Sequence, residues 1–122
     1  LSEDVGVPLD RLAEAIEGTL EIGRRHGLDA CSWGHAGDGN LHLTFLLEPG
    51  DAQMARRAQA AAQDLFDLAV SLGGTVSGEH GIGVLKRGQL ARQWAPAAVA
   101  AHLAVKAALD PKGLFNPGKK VP

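Results

Sequence analysis

The sequence predicts an α+β fold of the ferredoxin-like kind: a βαββαβ antiparallel sheet of four strands, helices on one face, and extra C-terminal helices. Three observations predict it. Apolar residues recur with a period of two or of about 3.6 in the order strand, helix, strand, strand, helix, strand. An Asp-Gly pair, Asp38-Gly39, lies between two apolar runs and signals a hairpin. Glycine and proline fall at the ends of the periodic segments, where chains turn.

The elements follow in order. Val5 and Val7 alternate with small or polar residues, which suits a strand over 3–7. Pro8 occupies a favoured first helical position, and Leu9, Leu12, Ile16, Leu20 and Gly23 continue at helical spacing, so 8–26 should be an amphipathic helix stopped by Gly27. Residues 29–35 and 40–47 are the arms of the hairpin, and Pro49-Gly50 ends the second. Asp51 caps the next helix, which carries Met54, Ala58, Ala61, Leu65, Leu68 and Leu72 on one stripe before Gly73-Gly74. A short strand at 75–77 completes the sheet and leads into the loop GEHGIG. Helices over 87–94 and 96–109 follow, and then a turn-rich tail, DPKGLFNPGKKVP.

At 122 residues and 45% hydrophobic content, the chain is one domain with a modest core. A net charge of −2 gives no electrostatic basis for binding nucleic acid or an anionic membrane. No apolar run reaches the ~18–20 residues that span a bilayer, and no signal peptide opens the sequence. The single cysteine, Cys31, excludes an internal disulfide and points to a reducing, cytoplasmic compartment. Cys31 lies inside an apolar run and is expected in the core rather than as a nucleophile. The chain opens on LSEDVGVPLD with no initiator Met, which suggests a piece of a longer protein.

The stretch GHAGDGNLHL carries more than a turn. With a two-residue turn at Asp38-Gly39, or a four-residue loop centred on the same point, His35 faces His42, with Cβ atoms roughly 4.5–5.5 Å apart. Parity places Leu41, Leu43, Phe45 and Leu47 on the helix-covered face, and His42, Thr44, Leu46, Trp33 and His35 on the other. A histidine pair fits a solvated face as readily as a metal, and two imidazoles are too few for a closed zinc site. Glu79, in GEHGIG, is the candidate third ligand. Two His and one carboxylate with open positions suit zinc, manganese or iron. His80 would then stand beside the metal as a general base. The competing reading of GEHGIG is a glycine-rich turn with charged tips; neither phosphate-binding fingerprint matches it. Lys86 and Arg87 read as a solvated face or an inter-domain contact, His26 as a helix end, His102 as a surface residue, and Trp94 as core.

In order along the chain, GHAGDGNLHL, GGTVSGEHGIGVLKR and ALDPKGLFNPGKK resemble the C-terminal domain of the FAD-linked oxidases. The group concerned holds the FAD-linked subunit of glycolate oxidase, D-lactate dehydrogenase and D-2-hydroxyglutarate dehydrogenase. The resemblance runs from EDVGVP to NPGK. It implies that residues 1–122 are a substrate and metal domain, inactive alone, preceded by a larger N-terminal FAD-binding domain. It implies that His35, His42 and Glu79 bind a divalent metal, usually zinc. It further implies that His80 takes the proton of the substrate hydroxyl, while hydride passes to FAD, and that Asn116 lies against the flavin. The implied partners are the chain's own FAD domain, a small 2-hydroxy acid, and an electron-accepting subunit or carrier. Some members acting on dicarboxylic substrates have Asn two residues after the second histidine, where this chain has Thr44. That departure leans towards glycolate or D-lactate. The alternative is a stand-alone ferredoxin-like module that binds a metal or small ligand without redox activity.

Overall fold

The computed structural model describes residues 1–120, which form two compact units. The first, Leu1–His80, holds β1 (Ser2–Gly6), a 3-10 turn (Leu9–Arg11), α1 (Leu12–Arg25), β2 (Ala30–His35), β3 (Asn40–Phe45) and α2 (Ala52–Ser71). Its sheet has the order β1-β3-β2 with both pairings antiparallel, so β3 is the central strand. The α+β class is as the sequence predicts.

Alternation along β3 decides what the sheet does. Leu41, Leu43 and Phe45 are buried with Val5 of β1 on the face covered by α1 and α2. From the helices, Ala15 and Ile22 of α1 and Ala58, Ala61, Leu65, Phe66 and Ala69 of α2 close this core. Gly18 permits close approach of the two helices, since a Cβ there would stand 2.7 Å from Leu68 Cδ2. Asp51 starts α2 by accepting the amides of Gln53 and Met54 at 2.8 Å each. Truncating Phe45, 1% exposed, removes one of the two buried phenylalanines of this core. Phe45→Ala is expected to lower unfolding free energy by ~3–5 kcal/mol, measured as a shift of the urea midpoint at unchanged slope.

Two strand details differ from the expectation. Trp33, not His35, stands opposite His42, and His35 stands opposite Asn40. The turn has four residues, Ala36 to Gly39, with Asp38 N and Gly39 N both donating to His35 O at 3.2 Å. The Asp38 carboxylate accepts Asn40 N, and Gly39, at φ +76°, offers its carbonyl to Val7 N. These bonds hold the longer turn against β1. The register moves by two residues, an even number, so His35 and His42 stay on one face as diagonal neighbours.

The fourth strand shrinks to a bridge. Thr75 pairs with Gly6 through two backbone bonds, of 2.8 and 3.1 Å, and the ladder stops there. The Thr75 hydroxyl turns forward to Ser77 O, and the next amides, of Glu79 and His80, go to the Asp4 carboxylate. Side-chain acceptors thus take the place of a partner strand. Cys31 also departs from expectation: it is exposed, because it shares the uncovered face with Trp33 and His35. His26 closes α1 with Nε2 2.8 Å from Asp64 Oδ2 of α2.

The second unit starts at Gly81 and contains a 3-10 turn (Arg87–Gln89), α3 (Leu90–Gln93) and α4 (Pro96–Leu109). Trp94 is half-buried rather than core and stacks on His102, with ring centroids 4.1 Å apart. Lys86 is buried, not solvated. The tail is ordered by Asp110, whose carboxylate accepts the amides of Leu114 and Phe115 and pairs with Lys106 Nζ. Lys106, then the amide of Phe115, hold the Asp110 carboxyl down at about 2. The folded value lies below the usual carboxylate value, so this contribution is complete above pH ~4 and fades as pH falls from there towards 2. Acid titration should therefore loosen the tail over that window, and Asp110→Asn should flatten the dependence, read from the amide signals of Leu114 and Phe115. The last two residues, Val121 and Pro122, lie outside the described ones. Among the described residues, no helix is long and apolar enough to cross a membrane.

Candidate metal and acid–base site

The uncovered face of the first unit's sheet gathers three imidazoles and two carboxylates. β3 presents His42, 8% exposed, at the centre of the sheet. β2 contributes His35, whose ring lies edge-on to His42 with centroids 5.5 Å apart. Trp33 flanks His42 at 6.3 Å and is half exposed. The loop after Val76 brings Glu79, whose Oε1 stands 3.1 Å from His42 Nε2 and 3.6 Å from His35 Nε2.

These three residues each offer one ligand atom, and the atoms lie within 4.8 Å of one another. Nitrogen and oxygen donors at zinc distances in a tetrahedral shell stand ~3.4 Å apart. The two separations to the Glu79 carboxylate, 3.1 and 3.6 Å, bracket that spacing, while the three ligand atoms together span up to 4.8 Å. Among the described residues this is the one such group found, and His80 is outside it. The His80 ring stacks on His42 at 5.1 Å with a 28° tilt, and its Nδ1 lies 3.5 Å from Asp4 Oδ1.

Sequence reasoning missed Asp4, Asn40 and Gly78. Asp4 is fully buried opposite His42, and its carboxylate accepts Ser77 Oγ at 3.2 Å, Glu79 N at 2.6 Å and His80 N at 2.9 Å. Gly78 leaves no room for a side chain: a Cβ would lie 2.0 Å from Asn40 Oδ1 and 3.2 Å from Val5 O. That tight seat brings the Glu79-His80 loop down onto β1 and β3. Nothing local in SEDVG marks Asp4, because its role exists only once β1 lies beside β3. Asn116 belongs to the second unit, where it adopts φ 47° in the tail and its carbonyl accepts Lys119 N.

The pattern of the FAD linked oxidases, C-terminal domain, matches residues 1–120. The chain belongs to the C-terminal domain family of the FAD-linked oxidases. A relative in Bacillus subtilis, "Glycolate oxidase subunit GlcD", is 37% identical over 96% of this chain and 25% of its own length. "Glycolate oxidase subunit GlcD" of Escherichia coli K12 is 37% identical over 98% of the chain and 24% of its own length. "D-lactate dehydrogenase" of Archaeoglobus fulgidus is 37% identical over 97% of the chain and 26% of its own length. The chain thus spans about a quarter of the length of these oxidoreductases. It corresponds to one domain of these longer relatives.

Proposed function

We propose that this domain holds the substrate and a divalent metal in a flavin-dependent dehydrogenase acting on a small 2-hydroxy acid of the glycolate or D-lactate type. The observation that carries the reading is the convergence of His35, His42 and Glu79, with His80 stacked beside them and outside the ligand set. Membership of the FAD-linked oxidases and the names of the relatives support the reaction class. They weigh against a stand-alone ligand-binding module.

His35, His42 and Glu79 would hold the metal, with zinc the first choice for two imidazoles and one carboxylate. The bound metal supplies a Lewis acid for the substrate's hydroxyl and carboxylate, and FAD, bound mainly by the N-terminal domain, supplies the hydride acceptor. The chain's own groups do the rest. His80 takes the hydroxyl proton, an imidazole being suited to this near neutral pH. Trp33 flanks His42, with ring centroids 6.3 Å apart, at the edge of the histidine pair. Thr44, two positions after His42, has its hydroxyl tied to Ser2 Oγ at 2.5 Å, which leaves a small side chain where a longer amide would bind a second carboxylate. Asn116 would contact the bound flavin, and a separate subunit or carrier would be the final electron acceptor.

The test uses the full-length protein, loaded with FAD and zinc, with an artificial electron acceptor. Glycolate and D-lactate should be oxidised with higher kcat/KM than D-2-hydroxyglutarate, and chelation should abolish turnover. Turnover that survives complete metal removal, or a preference for the dicarboxylic acid, would overturn the reading.

A further inference from the structure

Asp4 does something that neither the sheet nor the metal requires. It is fully buried in an edge strand, where an ionised carboxylate is unfavourable without partners. The partners described above are the hydroxyl of Ser77 and the amides of Glu79 and His80, all from one four-residue stretch. Both amides go to Oδ2, while Oδ1 receives the longer 3.4 Å contact from Ser77 Oγ and faces the His80 ring with Nδ1 at 3.5 Å. Hydrogen bonds of catalytic groups are commonly longer before substrate binds than in the working complex. An uncharged acceptor could hold the two amides at a smaller desolvation penalty. A full negative charge beside an imidazole adds a choice between its two tautomers.

We propose that Asp4 is the positioning residue of this site: Oδ2 holds the Glu79-His80 backbone, and Oδ1 keeps the His80 hydrogen on Nδ1, so that Nε2 is the free base. The inference rests on the reading of His80 as the proton acceptor. The His42 ring closes off one side of His80 and Asp4 sets its hydrogen, so the imidazole enters the reaction already oriented. The arrangement follows the logic by which a buried carboxylate orients the base of a hydrolase triad.

The test compares wild type and Asp4→Asn in the full-length protein loaded with FAD and zinc. The Asn oxygen can still accept the two amides, but its NH2 then faces Nδ1 and favours the opposite tautomer. Asp4→Asn should lower kcat ~100-fold or more while KM and zinc content stay within about 3-fold. Nitrogen-15 NMR of His80 should show the hydrogen on Nδ1 in wild type and on Nε2 in the variant. A hydrogen on Nε2 in wild type overturns the proposal, and that measurement decides even if the variant does not fold. It is also overturned if kcat survives within about 3-fold, or if zinc and kcat fall together with no tautomer change. The tautomer readout needs no substrate. The expected tautomers in an enzyme that ignores 2-hydroxy acids would sink the proposed function and leave the positioning role standing.

Discussion

His80→Ala in the full-length protein is expected to lower kcat by ~10²–10⁴-fold, the range supplied by one positioned general base, with zinc content nearly unchanged. The argument is geometric. The ligand atoms of His35, His42 and Glu79 converge without His80, whose Nδ1 is turned towards Asp4. Losing its side chain removes a base and a stacking partner of His42, and no ligand. The ring is half exposed and stacks on His42, on the sheet face opposite Leu41 and Leu43, so the unfolding midpoint should stay close to that of wild type. Zinc content measured on purified protein, beside steady-state kinetics, separates the roles. Loss of zinc together with activity would make His80 a ligand.

His42→Ala should act on both metal and base. Changes to groups behind a metal ligand typically cost 10–100-fold in affinity, so removal of a ligand itself should exceed ~100-fold. His42 is the most buried of the three, it lies on the central strand, and its ring contacts those of Trp33, His35 and His80. Alanine there takes away one donor and the surface on which His80 rests. Zinc affinity, read by competition with a chromogenic chelator, should fall by that factor, and kcat should fall at least as far as in His80→Ala. The even-numbered position keeps Leu41 and Leu43 in the core, so the fold should persist. Wild-type zinc affinity in this variant would remove His42 from the metal site.

Much of this arrangement is legible in the sequence because strand parity is a coarse and sturdy signal. Leu41, Leu43 and Phe45 against His42 and Thr44 predict the two faces of β3 correctly, even though the turn is centred one residue earlier than expected. A two-residue shift in register leaves faces unchanged; a one-residue shift would have reversed them. The same parity, applied to β2, puts Cys31 beside Trp33 and His35, which the apolar character of the run concealed. Asp4 and the lost fourth strand were not legible. Both depend on where the amides of 79 and 80 find acceptors, and a carboxylate 75 residues earlier in the chain leaves no local trace. Lys86 was hidden for a similar reason: a basic residue next to Arg87 looks solvated until its surroundings are known.

The separation of Asp4 from the loop it holds sets an order of assembly. His35 and His42 lie on one hairpin, a contact that closes over a handful of residues, whereas Asp4 meets Ser77, Glu79 and His80 across 73 to 76 positions. Local closure is the faster event. During synthesis the histidine pair can therefore exist before the ribosome has delivered Glu79 and His80. A nascent chain in this state presents two imidazoles without the Glu79 carboxylate or the His80 ring beside them. On the proposed reading, metal binding by the pair would precede any acid–base step in the life of each molecule.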